Sequence, residues 1–138
     1  VAEDNDIKVI DNFESRVVST IETLALKNNV ILLYPIPEQG WNVPELYFYN
    51  KFEWGETISY PSSVWSRRVQ DSNLLLNSVD EKNVFRVFPE KIFCDTFVKS
   101  ECVGAINEQI FYSDDDHLSL EGSRLLAREI VKILNINY

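Results

Sequence analysis

Asp114, Asp115, Asp116 and His117 stand in a row inside "FYSDDDHLSLEG", residues 111–122, and His117 is the sole histidine of the chain. An imidazole serves as a general base near neutral pH when a carboxylate holds its second nitrogen and stabilises the imidazolium. An aspartate three residues earlier, on a turn that caps a helix, can bring its carboxylate to the ring. That spacing nominates Asp114 and His117 as a pair and leaves Asp115 and Asp116 pointing elsewhere. Two other readings stay open on the residues alone. Aspartates favour turns and helix starts, so the run also reads as a solvated turn before the last helix. The third is a metal site; against it, adjacent carboxylates diverge and no calcium-loop spacing ends in a bidentate Glu. The chain has no Gly-x-Ser-x-Gly elbow and no Gly-Asp-Ser block, so no serine carries a nucleophile's context.

Cys94 and Cys102, with seven residues between them, are the only cysteines. Two cysteines allow a reduced pair, a partial metal site or one bridge. The metal reading lacks further ligands, since no other Cys exists and the single His is not at ligand spacing. A short-loop disulfide fits an oxidising compartment and would add roughly 2–3 kcal/mol by loop closure.

The elements that must position these residues follow from hydrophobic spacing. "DNFESRVVSTIETLALKNN", residues 11–29, has Phe13, Val17, Val18, Ile21, Leu24 and Ala25 at helical intervals. Asp11 and Glu14 form a capping-box pattern at its start, and Asn28-Asn29 is a natural stop. "VILLYPIP", residues 30–37, is a short apolar run closed by prolines, read as a strand buried on both faces. Residues 38–61 follow with little periodicity and many aromatics: Trp41, Tyr47, Phe48, Tyr49, Phe52, Trp54 and Tyr60. A stretch of this kind is either a wall or lid over a site or a packed surface excursion. "SSVWSRRVQDSNLLLNSVDEKN" reads as a second helix with Val64, Val69, Leu74, Leu75 and Val79 mostly on one side. "VFRVFP", residues 84–89, is a second strand, and the cysteine loop and a short extended "EQIFYSD" come after it. The last helix, in "SLEGSRLLAREIVKILN", has Ser119 as N-cap, Glu121 at the positive end of its dipole, and Leu125, Leu126, Ile130, Val131, Ile133 and Leu134 toward the core.

Helices alternating with short apolar strands imply an α/β fold with a parallel sheet covered on both faces. Sites in such folds gather at the carboxyl ends of strands, and the Asp-rich turn is expected to follow such a strand. Two strong strands make a thin sheet for 138 residues, and the chain has no Met. The expectation is one domain over residues 1–138 that begins partway through a longer protein. Hydrophobic residues at 45% suffice for one core. The net charge of −9, with Arg67-Arg68 as an isolated basic pair, excludes nucleic acid as a partner. No apolar run approaches the roughly 20 residues that span a bilayer.

Three motifs, in order, resemble the C-terminal part of an SGNH hydrolase domain of the kind fused to membrane acyltransferase-3 proteins. "LLYPIPEQGWNVP", 32–44, resembles that group's strand and Pro-x-Pro-Glu-x-Gly turn. "FCDTFVKSEC", 93–102, resembles its cysteine pair. "IFYSDDDHLSLEGSRLLAREI", 110–130, resembles its terminal Asp-x-x-His-Leu-Ser block. The resemblance implies a three-layer α/β/α sandwich, SGNH or flavodoxin-like, that lacks its N-terminal strand or strands. It makes His117 the general base, Asp114 its orienting carboxylate, and Cys94–Cys102 a bridge. It implies O-acetylation of surface polysaccharide, with an acyl donor, a carbohydrate acceptor and a membrane acyltransferase-3 domain in the same polypeptide. The site would be extracytoplasmic, on the periplasmic side of an inner membrane, and no cofactor or metal is expected. The family's nucleophilic serine and its oxyanion-hole glycine and asparagine should precede residue 30, and none matches in the 29 residues there. The segment alone is therefore expected to be inactive. Two rival functions are a carbohydrate esterase without a membrane partner and a non-catalytic module whose aromatics at 41–60 stack on sugars.

Overall fold

A computed structural model describes residues 2–49 and 56–137, with side chains over 12–49 and 56–134. Phe52 and Trp54, and the proposed capping side chain of Asp11, lie outside what is described. Helix α1 (Ala2–Ala25) turns Val18, Ile21 and Ala25, one stripe at helical spacing, onto a small core with Val79, Val84, Val30 and Leu32. It begins well before residue 11, so Asp11 sits inside the helix and not at the N-cap position expected for it. Its end is as expected: Asn28 Nδ2 donates to Leu24 O at 2.9 Å, and Asn83 Nδ2 donates to Ala25 O at 2.9 Å, supplying carbonyls that the last turn leaves open.

Strands β1 (Val30–Leu33) and β3 (Val84–Val87) pair in parallel, Val30 opposite Val84 and Leu33 opposite Val87. The chain is thus α/β with a parallel pair, as the alternation of elements implies. β1 is not buried on both faces: all four residues are partly covered and Leu33 is 41% exposed. Among the described residues this sheet has only two strands, too narrow to hide its central run.

The crossover between the two parallel strands holds α2 (Val43–Tyr49), β2 (Thr57–Pro61), α3 (Ser62–Arg68) and α4 (Gln70–Asn77). The single helix expected from residue 62 is broken at Val69. Val69 packs with Trp65 against Cys94 and Cys102, and the break re-aims α4 toward α1. Tyr34 Oη donates to Asn77 Oδ1 at 2.6 Å and pins the end of α4 above β1. Val64 and Leu74 are exposed rather than buried.

After β3 come α5 (Glu90–Phe93), β4 (Glu101–Ile106) and β5 (Gln109–Ile110). β4 lies between β2 and β5 in an antiparallel sheet that hydrophobic spacing did not disclose. Asn107, at φ 54°, makes the tight reversal into β5, a conformation Asn accepts more readily than most residues. This sheet carries the main core: Val43, Ile58, Phe93, Val103, Ala105, Phe111 and Tyr112 are all buried. Phe93 meets both Phe111 and Tyr112 with ring centroids 5.9 and 5.7 Å apart, and Phe97 stacks on Phe111 at 4.8 Å. Helix α6 (Leu120–Asn137) buries Leu126, half-buries Leu125, Ile130 and Ile133, and leaves Val131 and Leu134 exposed. Among the described residues no helix is long and apolar enough to cross a membrane.

Candidate active site

The turn carrying Asp114 and His117 is gripped at both ends. Phe111 and Tyr112 enter it from the core, and Tyr112 Oη donates to Pro37 O. Ser113 N donates to His117 O at 2.8 Å, and Ser119 N donates to Phe111 O at 2.9 Å. Ser119 Oγ donates to Ile110 O at 2.6 Å and accepts Gly122 N at 3.2 Å, so Ser119 caps α6 as expected. Gly122 is required here. A Cβ on it would stand 2.2 Å from the Phe111 carbonyl oxygen.

Asp114 organises the interior of the turn. Its Oδ1 accepts the backbone N–H of Asp116 at 3.0 Å and of His117 at 2.7 Å, while Oδ2 meets His117 Nδ1 at 2.9 Å. One carboxylate oxygen fixes the rotamer and the other fixes the ring. The backbone N–H groups, that of His117 first, hold the Asp114 carboxyl well below the usual range, at about 2, and the imidazole adds to this. In return the hydrogen bond to Asp114, then the Asp114 charge, then the Asp116 charge raise the pKa of His117 above its ordinary value. With Nδ1–H donated to Asp114, Nε2 keeps its lone pair. The side chain is 75% exposed, so that lone pair is open to an incoming group. The arrangement is that of a general base with its orienting nitrogen occupied.

Asp116 does not point away from the ring. Its Oδ1 lies 2.8 Å from the same Nδ1, because the turn that folds Asp114 under His117 curls the intervening residue in as well. Asp115 makes its contact through the backbone: its carbonyl accepts Gln39 N at 2.7 Å, and the Asp114 carbonyl accepts Val43 N at 3.2 Å. The strand just before the turn, β5, is antiparallel, not the parallel strand expected. The tie to the parallel pair runs instead through the loop that leaves the carboxyl end of β1 and supplies Gln39. Asp114, Asp116 and His117 also offer three ligand atoms within 4.8 Å of one another, the start of a cation site. Their contacts are explained without one, since Nδ1 already faces two carboxylates. Ser113 Oγ donates to the His117 carbonyl at 3.2 Å rather than to the ring.

The sequence model of a known family, described as "SGNH domain (fused to AT3 domains)", matches residues 2–132. The chain belongs to this family. No curated protein and no solved structure matches it. It is accordingly a domain of hydrolase or acyltransferase type, from a family joined to membrane-protein AT3 domains. In this SGNH domain the described residues ahead of β1 are one helix, Ala2–Ala25, and the turn that follows it.

Cys94 and Cys102 are joined in a disulfide that ties the end of α5 to the start of β4 and packs against Trp65, Val69 and Tyr60. Two grooves of about 660 and 690 Å³ among the described residues are lined by residues around α6 and β3 and around α1 and α4. Neither includes a residue of the His117 turn, so size does not locate the chemistry. Reading by residue type missed Gly122, Gln39 and Tyr112. Gly122 had a signal in the Ser-x-x-Gly that opens α6. Gln39 lay inside a motif already quoted, but nothing in its type marks a glutamine as buried.

Proposed function

We propose that this SGNH domain supplies the base half of a serine acyl-transfer site, with His117 as general base and Asp114 as its orienting carboxylate. The observation that carries the proposal is the divided duty of Asp114: Oδ1 on two backbone N–H groups and Oδ2 at 2.9 Å from Nδ1. The nucleophilic serine and the oxyanion hole come from elsewhere in the same polypeptide, since residues 1–138 hold no matching block. His117 Nε2 takes the serine proton as that oxygen attacks the acyl carbonyl. Asp114 stabilises the resulting imidazolium, which then protonates the departing group and leaves an acyl-enzyme. In the second half the acceptor hydroxyl gives its proton to Nε2 and attacks the acyl carbon, and the serine leaves with the proton returned.

The AT3 association supports acetyl as the acyl group and a membrane acyltransferase domain as its source. An extracytoplasmic, periplasmic site is supported by the Cys94–Cys102 bridge, since disulfides persist in oxidising compartments, and surface polysaccharide is the acceptor proposed for a site so placed. Residues 1–138 then act as one domain, the C-terminal portion of the catalytic fold. The test is His117→Ala in the intact polypeptide, read by hydrolysis of a 4-nitrophenyl ester and by acetyl transfer to glycan. Loss of both by about a thousandfold or more is expected. Turnover at the wild-type rate would remove His117 from the mechanism.

A further inference from the structure

The loop that leaves β1 is tied to the His117 turn by two backbone bonds, Gln39 N to Asp115 O at 2.7 Å and Val43 N to Asp114 O at 3.2 Å. A third tie comes from the root of the turn, where Tyr112 Oη donates to Pro37 O. Whatever sets the height of residues 37–43 over the sheet therefore sets the height of two aspartate carbonyls, and of the ring that Asp114 holds. Between Pro37 and Val43 the only buried residue is Gln39, 2% exposed. Its side chain comes down on Gly104 of β4. A Cβ on Gly104 would stand 2.6 Å from Gln39 Oε1, 2.8 Å from Cδ and 3.1 Å from Cγ. Neither end of the amide makes a hydrogen bond, so what the side chain contributes at this contact is length and bulk.

Glycine inside a strand weakens it and marks a close approach of another segment. Gly104 is also the extra residue of a β-bulge. Ala105 pairs with Ile58 and Val103 with Ser59, which leaves Gly104 with no residue opposite it in β2. Its carbonyl accepts Phe111 N at 2.9 Å instead, and Phe111 leads into the His117 turn. Gly104 thus reaches the turn by two routes. One runs through its carbonyl to Phe111, the other through the space beside its Cα to Gln39 and so to Asp115. A bulge and a strand glycine both give up regularity in a sheet, and here they coincide where the loop and the turn meet it.

We propose that Gln39 is a positioning residue, a spacer seated in the notch over Gly104 that holds residues 37–43, and with them the Asp114 and Asp115 carbonyls, at the height where His117 meets its nucleophile. The word nucleophile rests on the acyl-transfer reading; the spacing is tested in the chain itself by amide hydrogen exchange. The amides at positions 39 and 43 are followed in the ¹⁵N-labelled full chain, with the Tyr34 amide, bonded to Val87 O in the parallel sheet, as control. Gln39→Ala should speed exchange at both positions by about tenfold more than at Tyr34. A side chain that only adds to overall stability would move all three by one factor. Gln39→Met, of similar length and without the amide, should restore protection. Gly104→Ala should loosen the same two amides, and its effect should vanish when Gln39→Ala is already present, because the new Cβ then enters vacated space. In the intact polypeptide Gln39→Ala should lower kcat about tenfold, with KM and the His117 ring titration unchanged, since the Asp114–His117 pair lies within the turn. Gln39→Met should keep kcat. Equal acceleration at all three amides, no rescue by Gln39→Met, or full kcat in Gln39→Ala beside an active parent would overturn the proposal. Wild-type turnover in His117→Ala would instead strike the acyl-transfer reading and leave the exchange result to decide the spacer.

Discussion

Replacing Gly122 by alanine sets two physical effects of opposite sign against each other. Helix propensity alone favours the change, since Ala in a helix is better than Gly by roughly 0.5–1 kcal/mol. Packing opposes it. The new Cβ would lie 2.2 Å from the Phe111 carbonyl oxygen and 3.1 Å from Leu118 Cδ2, and real Cβ contacts do not fall below 3.0 Å. The start of α6 and the Phe111 carbonyl must therefore separate by about 0.8 Å, the difference between the two distances. That carbonyl already accepts Ser119 N at 2.9 Å, and a displacement of this size takes the bond beyond useful length. Losing one hydrogen bond costs ~0.5–1.5 kcal/mol, and overpacking a filled site costs ~1–3 kcal/mol. Less the propensity gain, a net destabilisation of about 0.5–4 kcal/mol is expected. For a chain of this length that lowers Tm by roughly 2–16 °C. Far-UV circular dichroism melts measure it directly. A Tm equal to or above that of the parent chain would show that Gly122 is not clamped against Phe111, and the account of how the His117 turn is held would fail with it.

The single histidine makes the site unusually direct to titrate. Its ring protons should report a pKa above 6.5, and Asp114→Asn should lower it by removing the hydrogen bond that raises it. The signs for stability follow from linkage. The His117 contribution is full below the unfolded value of 6.5 and is lost as pH rises through the higher folded value. The Asp114 contribution is full above 3.8 and is lost as pH falls toward about 2, so the two overlap in mildly acidic solution. Because the base must be unprotonated, the acidic limb of kcat/KM in the intact polypeptide should sit above pH 6.5 and move down in Asp114→Asn with a lower plateau. Unmoved ring titration in that variant would mean the pair is not formed in solution. For the cysteines, thiol titration under denaturing, non-reducing conditions should find none free. Reduction should lower unfolding stability by about 2–3 kcal/mol, as closing a short loop predicts; two reactive thiols without reductant would contradict the bridge.

How much of this was readable from residues alone depended on whether the deciding interaction was local. Asp114 and His117 are three positions apart on one turn, and Ser119 caps the helix it opens, so spacing sufficed for both. The parallel strands at 30–33 and 84–87 were legible because each is a short apolar run closed by prolines or turn residues. β4 was hidden: "ECVGAI" is nearly all buried, but its Cys102 and Gly104 made it look like part of a loop. Gly104 is there for a tertiary reason, since a Cβ on it would meet the Gln39 side chain at 2.6 Å. The same holds for the break at Val69. Nothing in "RRVQD" interrupts a helix; the Trp65–Val69 packing on the disulfide does. Asp11 misled for the opposite reason, as a good local cap signal overruled by a helix that starts earlier.

These facts bear on how the site divides between segments of the protein. Among the described residues the contacts that orient the His117 ring come from residues 113–119, and those that seat this turn come from the buried Phe111–Tyr112 pair, from α6, from the loop after β1 and from Val43 at the start of α2. None requires the nucleophile. The His117–Asp114 pair is therefore formed within this chain, with the imidazole 75% exposed, and under the proposed mechanism it would be ready before any serine approaches. A triad assembled this way needs precision only in how the serine-bearing segment docks, not in the His–Asp geometry itself. It follows that variants of the docking segment should alter turnover while leaving the His117 titration where it is, and that Asp114→Asn should change both.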